Sequence, residues 1–315
     1  MVQQIQHLRD ENTVNGTVQE AAAIVPAAAE EAESLARTEL ERLLDLLTSL
    51  EPADWERETY CTRWNVRQVV SHLAGATAIH ADRAVLLERA TAWTQKRADE
   101  PGQSMAGYMA ELLGMTPERR QSYREAGFNP LDTVTQFEVD EHASSTPLDL
   151  IAELRIAGPP AFANRRTMPE PMRSLRLPIG IGVIVPVQAF VDVILPRDMW
   201  MHRMEIAIAT GRPIVRAAEH EGRLTALVMR DLARQLTPAL GETPIIYRLT
   251  GPDGGNFRFG PDATPFSTLT MDTVDFHLLA SGRMTPAEAR ANSAVSVEGD
   301  DGLAERVLSE TVVPY

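Results

Sequence analysis

Apolar residues at helical spacing mark the first part of the chain. After Pro26, leucines recur along one helical face, which predicts a helix that ends by Pro52, because proline disfavours helix in the residue before it. A second helix is predicted to begin at Asn65, a favourable N-cap, and to run through residues 66–90. Gly75 lies in the middle of that helix, at a cost of about 1 kcal/mol relative to alanine. A glycine there indicates close packing or the close approach of another group.

Two further helices are predicted later in the chain. One covers residues 187–210, where Pro196 should either kink the helix or mark its true start, and Gly211 should end it. The other spans roughly residues 219–236. Together the four helices predict a mainly α-helical domain.

Residues 94–186 follow no single period and are predicted to be an insert. Helical pieces are expected around residues 104–113 and 148–157, after which several prolines break the pattern. Pro-rich, partly apolar stretches of this length are often lids or pocket walls. The apolar run 177–195 is about long enough to span a bilayer, but prolines, glycines and Asp192 interrupt it. We therefore expect a buried loop that leads into a helix.

The pattern changes near Gly241 to short strands and short helices. The segments IIYRL and NFRF flank GPDGG, which predicts a β-hairpin with a glycine-rich turn. TLTM and AVSVE are two more predicted strands, and helices are expected after the capping residues Asp272, Thr285 and Asp301. This mixture is typical of a small α+β domain.

These patterns divide the chain into three parts. Residues 1–24 are polar without a sustained period and are expected to be a flexible extension. Residues 25–240 should form the helical domain, and residues 241–315 the α+β domain.

Composition narrows the class of protein. A net charge of −14 argues against a nucleic-acid partner and against binding to an anionic membrane surface. The single cysteine, Cys61, cannot form an internal disulfide or a cysteine-rich zinc site, and its simplest role is packing. No signal peptide is visible at the start of the sequence. We therefore expect a cytoplasmic protein with a small-molecule substrate.

Three residues are candidate metal ligands. Asp198 and His202 stand four positions apart, so both side chains share one face of the third helix and can reach one ion. His72 lies on a small, apolar face of the second helix, where the alternative is a core histidine bonded to a backbone carbonyl. A bundle that places this face opposite the pair would form a two-histidine, one-carboxylate site with open positions.

Two segments of the chain resemble a known family. The first is LLDLLTSLEPADWERETYCTRWNVRQVVSHLAG, and the second is RDMWMHRMEIAIATGRP, from Arg197 to Pro213. Both resemble the mycothiol-dependent maleylpyruvate isomerase family, and the C-terminal DFHLLASGR and VSVEGDDGLAERVL are similar to that family's second domain. The resemblance covers about residues 33–93, 187–236 and 244–310.

The resemblance implies a fold and a ligand set. The expected fold is a DinB-like four-helix bundle followed by a small domain of sterol-carrier-like character. The implied metal ligands are His72, Asp198 and His202, with zinc the expected divalent ion. The family often has glutamate where Asp198 stands, and the shorter aspartate would bring an ion closer to the helix axis.

Other residues receive weaker assignments. The resemblance implies that Glu205 could orient His202 as a hydrogen-bond acceptor, the alternative being an ion pair with a nearby arginine. It also implies that Arg283 could meet an anionic substrate, the alternative being a cation near a helix C-terminus. Trp64 and Trp200 are most simply core aromatics. His80, two turns beyond His72, is an outside candidate ligand.

The family resemblance implies a thiol-dependent enzyme. Mycothiol, a low-molecular-weight thiol, would act as nucleophile in an isomerisation or a thiol transfer. Residues 180–185 are apolar and could line a pocket for a larger, apolar substrate, or could equally be ordinary core. The alternatives are a non-catalytic metal-binding or regulatory protein, and a thiol-independent biosynthetic enzyme on the same scaffold.

Overall fold

The computed structural model describes residues 16–99, 104–179 and 183–315. The chain folds into two compact units, one of residues 28–210 and a second that combines residues 16–27 with residues 211–315. The helices of the first unit are α1 (Ala29–Thr48), α2 (Val66–Ala78), α3 (Arg83–Asp99), α4 (Met105–Leu112), α5 (Pro117–Glu125), α6 (Pro130–Glu141), α7 (Pro147–Arg166), α8 (Glu170–Arg173) and α9 (Leu195–Thr210). A two-stranded antiparallel sheet of β2 (Arg176–Pro178) and β3 (Ile184–Pro186) belongs to the same unit.

Four helices form the core of the first unit. Helices α1, α2, α7 and α9 pack against one another, and α6 lies along α2. Leucines of α1 meet valines of α2, and both meet Leu150, Leu154 and Phe162 of α7. The predicted mainly α fold, a helical bundle followed by a small sheet region, is therefore confirmed.

The region predicted to be an insert supplies part of this bundle. Helix α7 was expected to end near residue 157, but it continues through Pro159 and Pro160 to Arg166. Both prolines lie on an exposed face, so the carbonyl groups that lose a backbone partner there can bind water. The proline signal was therefore misleading, because its cost is small where the freed groups meet solvent.

The rest of that region builds a second apolar cluster. Helices α3, α4 and α6 contribute Trp93, Tyr108 and Phe137, and the start of the long helical run contributes Phe190 and Ile194. The predicted second helix is interrupted between Ala78 and Arg83. Most of the region predicted to be an insert is thus ordered helix.

The helical run over residues 187–210 changes its geometry before Pro196. One α-helical turn, Val187–Ala189, is followed by the π-helical segment Phe190–Ile194, and α9 then begins at Leu195. The backbone angles of Ala189, Phe190 and Leu195 are all helical, so Pro196 lies inside a continuous helix and does not mark its start. Of the two predicted alternatives, the structure agrees with a distortion at the proline, which takes the form of the π-helical segment before it. The apolar run forms β2, β3 and this helix start.

The second unit is an α+β fold around a five-stranded sheet. Its strands are β1 (Val18–Glu20), β4 (Ile245–Thr250), β5 (Gly255–Phe259), β6 (Ser267–Asp272) and β7 (Val295–Gly299), in the order β1-β5-β4-β6-β7. The predicted hairpin is present, with Ile245 opposite Phe259 and the two strands antiparallel. Its helices are α10 (Glu221–Leu240), α11 (Thr273–Ala280), α12 (Pro286–Ala291) and α13 (Asp301–Glu310).

Two expected boundaries differ from those in the structure. Helix α10 was assigned to the bundle, but it packs on β5 and on the 3-10 turn Ala21–Ala23 of the second unit. Part of the expected flexible extension is also ordered, because Val18–Glu20 pairs in parallel with β5. The remaining residues of that extension, 1–15, lie outside the described residues.

The apolar run was considered as a pocket lining and as a membrane span, and the structure describes only part of it. Gly180, Ile181 and Gly182 of the suggested pocket lining lie outside the described residues. Val185 packs against the second apolar cluster, whereas Ile184 is exposed. Among the described residues, no helix is both long and apolar enough to cross a membrane.

Candidate metal centre

Three side chains from two bundle helices converge at one point. His72 of α2 and His202 of α9 each place Nε2 at 3.3 Å from an oxygen of Asp198. The ligand atoms of the three residues all lie within 4.8 Å of one another. The two imidazole rings meet edge to face, with 5.2 Å between their centroids. This arrangement leaves both Nε2 atoms and the carboxylate pointing to a common position.

Each imidazole is held from behind by a buried carboxylate. His72 Nδ1 is hydrogen-bonded to Glu138 Oε2 at 2.5 Å, and His202 Nδ1 to Glu205 Oε2 at 2.6 Å. Both glutamate side chains are at most 1% exposed. When Nδ1 carries the proton, Nε2 is the free lone pair, and this fixes the tautomer and ring orientation that a metal ligand requires.

Gly75 makes the contact between Glu138 and His72 possible. A Cβ built on Gly75 would lie 2.8 Å from Cβ and 3.0 Å from Cγ of Glu138. Helix α6 therefore passes too close to α2 for any side chain at this position. The close approach inferred from the mid-helix glycine is present, and the approaching group is the carboxylate that orients His72.

The charges of the site stabilise one another. Burial opposes the charged form of His72, but the attraction of Asp198 and Glu138 outweighs it and raises the pKa of His72 to about 10. The pKa of His202 is raised in the same way, against burial, by Asp198 and Glu205. Burial also acts against the ionised form of Asp198, yet the two histidines hold the pKa of that carboxyl well below its usual range. Without an ion, the imidazole of His72 is therefore cationic at neutral pH, and the protonated form of His202 is favoured.

One face of the centre stays accessible. The side chain of Asp198 keeps 17% of its surface exposed, against 7% for His72 and 4% for His202. Trp64 covers another face, with its ring centroid 5.3 Å from that of His72. Coordination positions beyond the three protein ligands would thus be reached past Asp198.

Hydrogen bonds fix the indole of Trp64 in this place. Trp64 Nε1 donates to Gln136 Oε1 at 3.0 Å, and Gln136 Nε2 donates to Asp140 at 2.8 Å. The backbone N–H of Trp64 donates to the carbonyl of Cys61 at 2.8 Å. Trp64 was expected to be a core aromatic, and it does join the bundle core, but it also forms a wall of the candidate site.

A family model matches the chain over more than half of its length. It describes the N-terminal domain of mycothiol maleylpyruvate isomerase and matches residues 36–207, which contain every residue of the centre. The chain belongs to this family. The resemblance inferred from the sequence is thereby confirmed.

Solved structures of the mycothiol-dependent maleylpyruvate isomerase share the fold. One aligns with a TM-score of 0.52 at 12% identity, covering 89% of this chain and 96% of that one. A histidine-to-alanine mutant of it aligns with a TM-score of 0.51 at 11% identity and the same coverage. At such identity the likeness shows the fold alone. No curated protein sequence matches the chain.

The other residues predicted from the sequence as candidates lie outside the candidate metal centre of this mycothiol isomerase family member. Arg283 is half-buried in the turn after α11, where its backbone N–H donates to the carbonyl of Leu278. Cys61 is partly buried against the bundle core, and Trp200 is fully buried. His80 lies beyond the end of α2, with Nδ1 at 3.3 Å from the carbonyl of Ala76, and does not join the converging group.

Glu138 is not among the residues predicted from the sequence, because residues 94–186 follow no single period. The signal was present, since Glu138 follows Val134 and Phe137 at helical spacing on an apolar face. A carboxylate at a position where a core residue is expected indicates a buried partner. Its partner, His72, is 66 residues away in the sequence.

Proposed function

We propose that this protein is a metal-dependent enzyme of the maleylpyruvate isomerase type, which uses a low-molecular-weight thiol, mycothiol, as its nucleophile. The observation that carries the proposal is the paired carboxylate–histidine arrangement around Asp198. Two Nε2 atoms and one carboxylate meet there, while Glu138 and Glu205 hold the opposite ring nitrogens. Hydrogen bonds of this kind orient metal-binding histidines in proteins.

The donor atoms fit a divalent ion. Two imidazole nitrogens and one carboxylate oxygen are a ligand set that zinc accepts in catalytic sites, where a fourth position stays open. The same set also suits non-haem iron, so the metal is part of the test. We propose zinc, held by His72, Asp198 and His202.

Each residue around the candidate metal centre would have a separate role. A bound divalent ion would lower the pKa of a coordinating thiol, so that thiolate is available at neutral pH. His72 and His202 would each hold a proton at Nδ1, against Glu138 and Glu205. Trp64 would keep water from one side, and the accessible side of Asp198 would admit the thiol and the substrate. Arg283 is proposed to meet an anionic group of the substrate.

The proposal is tested by metal content and thiol binding. Purified full-length protein should contain about one equivalent of zinc, and His202→Ala should lose it. His277→Ala is the matched control, because His277 is also buried but lies on α11 of the second unit, where it bonds to Thr225 and Tyr315. Titration with mycothiol should then show binding to wild type and to the control variant only.

Two outcomes would contradict the proposal. Unchanged metal content in His202→Ala would show that the centre is elsewhere. A metal-loaded wild type that binds no thiol would indicate a non-catalytic metal-binding protein, or a thiol-independent enzyme on this scaffold. Iron in place of zinc would correct the identity of the metal and leave the ligand set unchanged.

A further inference from the structure

Helix α7 carries a buried arginine that has no counter-ion in contact. Arg165 is 5% exposed, and no carboxylate among the described residues lies within ion-pair distance of its guanidinium. Its Nη2 donates to the carbonyl of Ala76 at 3.1 Å, and its Nε has no hydrogen-bond partner among the described residues. Buried charges in proteins are normally paired, because an unpaired one is costly.

His80 lies beside Arg165, and it too has a buried nitrogen without a hydrogen-bond partner among the described residues. Its side chain is fully buried, and Nδ1 lies 3.3 Å from Arg165 Nη2. Its Nε2 has no partner among the described residues. Burial, together with the adjacent charge of Arg165, keeps the pKa of His80 well below the ordinary histidine value. A neutral imidazole that accepts from Arg165 through Nδ1 carries its proton on Nε2, so both orphaned atoms are then hydrogen-bond donors.

A further carboxylate on this side of the bundle is already in use. Asp192, in the π-helical segment, is hydrogen-bonded to Arg173. A second nitrogen of the same guanidinium, Arg173 Nη1, donates to the carbonyl of Arg165 at 2.8 Å. Arg173 and Asp192 therefore satisfy each other, and the positive charge of Arg165 is left without its own partner.

These donors lie close to the candidate metal centre. The Ala76 carbonyl that Arg165 contacts is four residues after His72 on α2, which is about 6 Å along a helix axis. Burial lowers the pKa of Arg165 to about 10, although the charges of Asp198 and Asp192 both favour the protonated guanidinium. Arg165 therefore contacts α2 about one helical turn from His72.

We propose that Arg165 and His80 form an anion subsite within the bundle, which receives a carboxylate carried a few bonds away from the atom that binds at the metal. The inference rests on the proposed metal centre for the position of the ligand. It adds to the proposed function two residues of the bundle that would hold an anionic group of the ligand. Arg165 would bind that group directly, and His80 would donate through Nε2.

The test uses thiols that differ only in charge. Full-length protein loaded with cobalt(II) is titrated with 3-mercaptopropionate and with 3-mercaptopropionamide, and thiolate binding is followed by the ligand-to-metal absorption band. In wild type, we expect the carboxylate to bind about tenfold tighter than the amide, since charge-assisted hydrogen bonds in a buried site are strong. In Arg165→Met this preference should disappear, while the affinity for the amide stays the same.

A neighbouring arginine provides the control. Arg166→Met removes the same charge from the next position of α7, where the side chain is 37% exposed and paired with Glu33. This variant should keep the wild-type preference. If wild type and Arg165→Met prefer the carboxylate thiol over the amide thiol equally, the carboxylate binds the metal itself and the proposed subsite is wrong.

A second measurement separates the subsite from the metal centre. Metal-free protein is heated with acetate or acetamide at matched ionic strength, and the shift in Tm is compared between wild type and Arg165→Met. Acetate should raise the Tm of wild type and of Arg166→Met only. If thiols fail to bind but this shift is present, the proposed function fails and the subsite stands; if both readouts are independent of Arg165, the subsite is wrong.

Discussion

Gly75 and Glu138 approach each other so closely that a Cβ on the glycine would lie 2.8 Å from Cβ of the glutamate. This contact joins α2 to α6 at the level of the candidate metal centre. It places Glu138 at 2.5 Å from His72 Nδ1. The geometry of one candidate metal ligand, His72, therefore depends on the absence of a side chain three residues further along its own helix.

Gly75→Ala should weaken metal binding at the proposed centre. The added methyl group has to push α6 away, and the lost contact between Glu138 and His72 should lower metal affinity by about tenfold or more. Overpacking should also cost roughly 1–3 kcal/mol of unfolding free energy. Competition with a chromophoric chelator and thermal unfolding measure the two effects.

Gly222→Ala is the matched control for this substitution. Gly222 also lies in a helix, but a Cβ there would meet atoms no closer than 3.6 Å. Alanine should be neutral or slightly stabilising at that position, because it lowers the entropy of the unfolded chain. Equal metal affinity in Gly75→Ala and wild type would show that Glu138 does not orient His72 through this contact.

Glu138→Gln should reduce metal affinity by roughly 10–100-fold, with the fold unchanged. Glutamine fills the same space but leaves Nδ1 of His72 without a charged acceptor, so the imidazole is a weaker ligand. Glu205→Gln should act in the same way through His202. Isothermal titration with zinc and a competing chelator gives the affinities.

Glu141→Gln supplies the control for both glutamate variants. Glu141 lies on the same helix as Glu138, but its side chain is 51% exposed and pairs loosely with Arg119. Its removal should leave zinc affinity unchanged. If all three variants bind zinc equally, the buried carboxylates serve packing only.

Metal affinity should rise steeply with pH. The pKa of His72 is raised to about 10, so its ring carries an extra proton in the metal-free protein at neutral pH, and the pKa of His202 is raised as well. A metal displaces the extra proton of His72, so the logarithm of the affinity should increase by at least about one for each pH unit between pH 6 and 8. Zinc titrations between pH 6 and 8 would show a flat profile if the histidines were not the ligands.

The free energy of unfolding of the metal-free protein should fall as pH rises. A histidine whose pKa is raised on folding stabilises the fold fully below its unfolded value of 6.5, and this contribution is lost as pH rises toward the folded value of about 10. Denaturant unfolding without metal should thus show a decline in stability over that window. His72→Gln should remove most of the decline.

Asp198→Asn should abolish stoichiometric metal binding. Asparagine keeps the shape of the side chain but removes the negative charge that lies between the two Nε2 atoms. Without that charge, the pKa of both histidines should fall in the metal-free protein, which NMR titration of the imidazole protons would detect. Asp198→Glu should retain metal, because it preserves the charge and a carboxylate oxygen. Retention of metal by the asparagine variant would contradict the role of Asp198.

Most of the local structure follows from residues that are neighbours in the sequence. Asn65 caps α2 with the reciprocal bond from Gln68, and Thr285 caps α12 with Glu288. GPDGG joins β4 to β5 as expected. These features depend on residues a few positions apart, and their side-chain and backbone chemistry acts within one turn of chain. The likeness of two short segments to a known family also grouped the histidine of α2 with the aspartate and histidine of α9 as one ligand set.

The surroundings of that centre depend on contacts between residues far apart in the sequence. Glu138 meets His72, and Arg165 meets Ala76, across 66 and 89 residues of sequence. Helix α7 continues through two prolines because its exposed face tolerates the lost hydrogen bonds, and the strand at Val18–Glu20 forms because β5 offers an edge. Each of these depends on which surface a segment meets after folding, and local propensity carries no information about that surface.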